Sequence, residues 1–235
     1  MRQIGNLCIA GIFAIASAGF AQYNMELTGV GDGVVADGVY VSPYVGTISQ
    51  AGKTVYTGYM ICDDFLTESY LDTPWNATET NAGAVGSSVK FGSSSDPLPK
   101  TGPSAGYTQQ QDYDAVAWLA NQLVDLPLSN PSPAVKLEQT DIAFAIWDIF
   151  DGATTNPDGG TLTWINAAFA AVKGGYVANN VEVFTASPLN ASQEFLVVNP
   201  SVKASEASTP VLLGIDLITF FGLFLIFARR RRASA

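Results

Sequence analysis

The chain has 235 residues, with 21 acids against 11 lysines and arginines and no histidine, for a formal net charge of −10. Without histidine it lacks the commonest general base and the commonest ligand of transition metals, so zinc chemistry and a serine–histidine triad are excluded. A surface this acidic repels phosphate backbones and anionic lipid, which argues against nucleic acid as a partner and leaves cations, sugars and basic proteins.

The first 21 residues read as a secretory signal peptide. Arg2 gives a weakly positive start, Leu7 to Ala16 form an apolar stretch too short to cross a bilayer, and Gly19-Phe20-Ala21 is a small-x-small cleavage site before Gln22. Cys8 leaves with this segment, so the mature chain keeps one cysteine, Cys62. From Tyr23 to Ile61 the chain is rich in Val, Thr, Tyr and Gly. Turn signals at Gly31-Asp32-Gly33, Asp37-Gly38 and Ala51-Gly52 divide it into short antiparallel strands. The last of these should close at Cys62-Asp63-Asp64-Phe65. Asp63 and Asp64 would point to opposite faces while a strand continues, so they could flank one glycosidic bond only if the strand has ended.

Residues 78 to 106 are poor in large apolar side chains and rich in Gly, Ser and Pro, which predicts a long loop with one more strand near Ser88 to Phe91. The period then changes. Val116, Leu119, Ala120 and Leu123 predict a helix over 112–124, stopped by Pro127. Ile142, Ile146 and Ile149, with Ala143, Trp147 and Phe150 beside them, predict a buried helix over 135–150. A third helix is predicted over 161–172, ended by Gly174-Gly175. Strand patterns return at 181–185 and 194–198 around the turn Ser187 to Ala191. The fold class is therefore α+β, an antiparallel sandwich or barrel with a helical insert. Trp118 and Trp147 lie in apolar stripes and should be core, whereas Trp75 and Trp164, nearer loops, are better placed for a ligand face.

Toward the C-terminus, Val211 to Ala228 form an apolar run that spans roughly 27 Å as a helix, near the lower limit for crossing a bilayer. Asp216 is its one charge. The arginines Arg229, Arg230, Arg231 and Arg232 would stay in the cytoplasm and place everything before residue 208 outside. Three segments follow: a signal peptide over 1–21, one extracytoplasmic α+β domain over 22–204, and a tail over 205–235. The tail divides into a motif at 205–210, a transmembrane helix at 211–228 and a basic end at 229–235. Setting aside Arg2, Asp216 and the terminal arginines, the chain retains six lysines and twenty acids. Hard oxygen ligands also crowd Asp148, Asp151, Asn156 and Asp158 among glycines. Calcium is one reading of that group, and solvated turn residues are the other.

Two resemblances add to this. Ser205-Glu206-Ala207-Ser208-Thr209, followed by Pro210, the span and the arginines, resembles the PEP-CTERM sorting signal of exported proteins in exopolysaccharide-producing Gram-negative bacteria. The resemblance implies an exosortase-type sorting enzyme as partner, acting on Glu206, Ser208, Thr209 and Pro210. It also implies membrane attachment before any processing, and a place at the Gram-negative cell envelope. This tail is also known as an ice-binding C-terminal domain, but the chain has no Thr-x-Thr array to offer a flat ice-matching face. Cys62-Asp63-Asp64-Phe65 together with Phe144-Ala145-Ile146-Trp147-Asp148 resembles the paired motifs of thioester domains in bacterial surface adhesins. There a cysteine at a strand end bonds to a glutamine four residues before the tryptophan. Here that position is Ala143, which has no carboxamide, and the nearest glutamine is Gln139, one helical turn earlier.

The expectation is a non-enzymatic exported surface or matrix protein that needs no cofactor and has exopolysaccharide or a surface protein as partner. A covalent adhesin joining Cys62 to Gln139 is one alternative, and a polysaccharide-acting enzyme is the other.

Overall fold

The computed structural model describes residues 22–92, 102–152 and 159–198. The expected signal peptide, the expected span, the expected sorting residues Glu206, Ser208, Thr209 and Pro210, the four arginines, and Asn156 and Asp158 all lie outside them. Among the described residues no helix is long and apolar enough to cross a membrane.

The strands are β1 (Gln22–Gly29), β2 (Val35–Ala36), β3 (Val39–Tyr40), β4 (Tyr44–Gln50), β5 (Lys53–Cys62), β6 (Trp75–Asn81), β7 (Val181–Ala186) and β8 (Phe195–Val198). Six of them close an antiparallel barrel in the order β1-β4-β5-β8-β7-β6, and β2 and β3 form a separate hairpin. Of the two expected architectures, the structure takes the barrel. Closure comes from β1 pairing with β6, Tyr23 opposite Ala77 and Met25 opposite Trp75. Every barrel strand thereby has two neighbours, with β5 meeting β8 only through Ile61 and Cys62.

Alternation sets the inside of the barrel. Tyr23, Met25 and Leu27 of β1 are buried, and their sequence neighbours are not. Gly46 of β4 lies where a Cβ would come within 2.7 Å of the Met60 sulfur, so the barrel interior is filled to contact there. Ala51 and Gly52 both take positive φ in the two-residue turn joining β4 to β5, the conformation that keeps the twist of a tight hairpin. β5 departs from alternation at its end: Met60, Ile61 and Cys62 are all fully buried, because the helical layer covers the face that the barrel does not.

That layer is inserted between β6 and β7 and comprises α1 (Gln109–Asp125), α2 (Pro133–Asp151) and α3 (Gly159–Lys173). Each helix packs on the other two, and α1 also lies against β8. Their ends have local causes. Thr108 and Gln111 form a capping box on α1, and Ser132 caps α2 with Pro133 in the first turn. After α3, Gly175 at φ 92° lets Tyr176 N–H reach the Ala171 carbonyl, a Schellman ending.

Three expectations are corrected. Residues 78–81, expected to open a long loop, complete β6 (Trp75–Asn81). The strand carries only two buried side chains, Trp75 and Ala77, so its apolar signal is faint. The strand expected at 88–91 is a turn, held by bonds to the helices and to the approach of β8 rather than by a ladder. Trp75 is not on a ligand face: it is buried in the barrel with its ring centroid 5.6 Å from that of Phe195.

Candidate functional site

Where β5 ends, the barrel meets the helical layer. Cys62, the last residue of the strand, is a fully buried free cysteine. Its main chain is held from both sides: Trp147 Nε1 of α2 donates to the Cys62 carbonyl at 3.0 Å, and Cys62 N donates to Ser42 Oγ at 2.9 Å. The thiol donates to the Asp64 carbonyl at 3.2 Å. Burial, with Asp64 and Asp63 nearby, pushes the Cys62 thiol well above its usual range, so the sulfur carries its proton and is a weak nucleophile here.

Gln139 of α2 is also fully buried. Its Nε2 donates to the Ser42 carbonyl and to Asp32 Oδ1, both at 3.0 Å, while its Oε1 has no hydrogen-bond partner. Cys62 and Gln139 therefore meet through a shared neighbour, Ser42, and not directly. Ala143 is fully buried on the same helix, one turn closer to Trp147.

Two residues along the chain the chemistry changes. Asp64, fully buried, takes the Lys90 ammonium on Oδ2 at 2.5 Å and the Thr67 N–H on Oδ1 at 3.2 Å. Lys90 Nζ also donates to Thr67 Oγ1 at 2.6 Å. Lys90 N donates to Glu194 Oε2 at 2.8 Å, Tyr113 OH to Glu194 Oε1 at 2.5 Å, and Thr185 Oγ1 also reaches Glu194. Asp63 completes the group with both carboxylate oxygens buried and without a hydrogen-bond partner. Three buried carboxyls thus surround one lysine. Burial first, and the fields of Glu194 and Asp64 next, hold Asp63 protonated well above the usual carboxylate range, and burial raises Glu194.

Above this junction lies a cleft of about 500 Å³ lined by Tyr40, Tyr44, Phe65, Glu68, Tyr70 and Gln193, with Trp147 in its floor. Tyr40 and Tyr70 are exposed by 49% and 64%, whereas Trp147 is buried between Phe65 and Phe144. Flat aromatic faces beside short polar side chains suit a ligand with alternating apolar and hydroxyl-bearing faces.

No protein-family model matches the chain, and no curated protein matches it. Among solved structures, the N-terminal domain of the Streptococcus pyogenes pilus tip adhesin Cpa is similar at a TM-score of 0.36 and 12% identity, over 78% of this chain and 95% of that one. A score at that level carries nothing from that protein to the residues of this one.

Of the residues singled out in the sequence, Cys62 and Trp147 are joined by a hydrogen bond, and Cys62 and Gln139 both bond Ser42. Asp148 is buried in α2, and Asp151 accepts the Phe65 N–H on Oδ2 at 2.8 Å, which ties the end of α2 to the Cys62 loop. Among the described residues no group of three or more cysteines, aspartates and glutamates is arranged to hold a metal. Trp118, expected in the core, is half-buried, as is Trp164, and their ring centroids lie 6.0 Å apart. Sequence reasoning missed Lys90, Glu194, Tyr113 and Ser42. One signal was present: Val89-Lys90-Phe91 places a lysine between two large apolar residues inside a Gly/Ser-rich stretch, the pattern of a lysine that is drawn inward.

Proposed function

We propose that this chain is a non-enzymatic, exported adhesion or matrix protein, which uses the cleft above Cys62 to hold a saccharide segment of an extracellular polymer. In this reading the signal peptide exports it. The Glu206 to Pro210 motif, the apolar span and the arginines deliver it to an exosortase-type enzyme at the membrane, on the surface of a Gram-negative envelope. The observation that carries the reading is the Trp147 Nε1 to Cys62 carbonyl bond, which joins the two motifs of a thioester-type scaffold while the thiol stays buried and protonated. With no activated nucleophile at that junction, the exposed tyrosines beside it are the surface left to bind. Calorimetry against purified exopolysaccharide tests this, with Tyr70→Ala and Tyr40→Ala expected to remove the heat and leave the unfolding free energy within about 0.5 kcal/mol of wild type. A set of neutral and acidic polysaccharides that all give no heat would sink the saccharide reading.

A covalent adhesin is the second reading, favoured by one observation: Cys62 and Gln139 both bond Ser42, and Gln139 Oε1 is unbonded. Thioester formation expels ammonia, so an intact mass lower by about 17 Da that methylamine abolishes would establish it.

A further inference from the structure

The Lys90–Asp64 pair differs from an ordinary ion pair in where it lies. The two side chains are 6% and 0% exposed, their closest atoms are 2.5 Å apart, and two further carboxyls, Asp63 and Glu194, stand in the same interior. Removing two charges from water costs several kcal/mol per ion, and their mutual attraction recovers this only in part. A chemical route out of that cost is open to these particular groups, because an amine and a carboxylic acid can condense to a neutral amide.

We propose that Lys90 Nζ and the side-chain carboxyl of Asp64 join in an intramolecular isopeptide bond, releasing one water. The ammonium first gives a proton to the surrounding carboxylates, leaving a neutral amine and a neutral acid. The Nζ lone pair attacks Asp64 Cγ, and the new C–N bond forms as the C=O π pair moves to Oδ1. Thr67 is placed for both partners: its hydroxyl holds Nζ at 2.6 Å, and its N–H meets Oδ1 at 3.2 Å, where the oxyanion charge develops. Oδ2 is the leaving oxygen. It departs as water with the proton that nitrogen gives up, passed directly between Nζ and Oδ2, which stand 2.5 Å apart. The balance is one carboxylic acid and one amine to one amide and one water, with no oxidant, cofactor or external donor.

Fixed geometry supplies the driving advantage. Groups held in contact react as though present at about 10⁵–10⁸ M, which overcomes the unfavourable condensation seen in dilute water. The product ties the end of β5 to the 88–91 turn, which is itself fixed to the helices by Phe91 stacked on Phe150 at 4.3 Å. Barrel and helical layer would then be covalently joined, as suits a surface protein under load.

The test is a peptide map with intact mass on the full-length protein extracted from membranes. A mass about 18 Da below that of the processed chain, with one fragment containing both residues 64 and 90 and no tryptic cut after Lys90, is expected. Lys90→Arg keeps the charge but cannot condense, and should return the full mass. Full wild-type mass with normal cleavage after Lys90 would overturn the proposal and leave a buried ion pair. A loss of about 17 Da maps elsewhere, to Cys62 if a thioester or to Gln22 if an N-terminal glutamine has cyclised, so neither mimics this result.

Discussion

The two flanks of one strand end use opposite means to bury polar groups. On the Cys62 side the groups around the thiol are neutral, a carboxamide, an indole N–H and a serine joined by single hydrogen bonds of 2.9 to 3.2 Å, and the one carboxylate, Asp32, lies beyond Gln139. On the Asp64 side, two residues later, Asp64, Glu194 and one ammonium are held by a dense set of short contacts, because a charge removed from water needs several partners at once, while Asp63 beside them has no hydrogen-bond partner. The neutral flank can lose a partner and lose little. The charged flank cannot.

Removing the cation should break that contrast most strongly. Lys90→Met leaves the carboxyls uncompensated, and a loss of about 3–5 kcal/mol is expected in urea unfolding; a loss below 1 kcal/mol would mean that the carboxyls simply protonate. Trp147→Phe keeps the ring but deprives the buried Cys62 carbonyl of its donor, with an expected loss of about 1–3 kcal/mol by the same measurement.

Asp112 sharpens the comparison from a third place. It is buried in the first turn of α1, both carboxylate oxygens have no hydrogen-bond partner, and burial pushes it up to about 7 from 3.8. Between those values the folded chain holds a proton that the unfolded chain has lost, so this group's contribution is full below pH 4 and declines as pH rises through about 7. Asp112→Asn should therefore stabilise at pH 8 by about 1–2 kcal/mol, with no gain at pH 4; the helix N-terminus, which favours the anion, keeps the effect below what the full shift would convert to. A gain independent of pH would remove titration as its cause. Smallest of all, Cys62→Ala should cost about 1 kcal/mol or less in stability, and wild-type Cys62 should react with iodoacetamide only after unfolding.

How much of this was legible depends on range. The helices were read within a few residues because their period repeats every turn and their caps, Thr108, Ser132 and Gly175, act on neighbours. The tight turns at Asp37-Gly38 and Ala51-Gly52 were read for the same reason. β6 was not, since Trp-Asn-Ala-Thr-Glu-Thr-Asn shows two apolar side chains and becomes a strand through its partners β1 and β7. In the site, Cys62 and Trp147 were found because short motifs carry them. Lys90, Glu194 and Tyr113 were not, because they converge from positions up to 104 residues apart.

From composition and local pattern alone follow the absence of histidine chemistry, the α+β order of elements and the spans of the three helices. All of these are set by which residues occur or by neighbours within one or two turns. Folding in three dimensions decided that the strands close into a barrel, that Trp147 bonds the Cys62 carbonyl while Gln139 bonds Ser42, and that one lysine lies among three buried acids. Those outcomes depend on which distant segments share an interior, and burial there changes the energy of a charge by more than any local preference does.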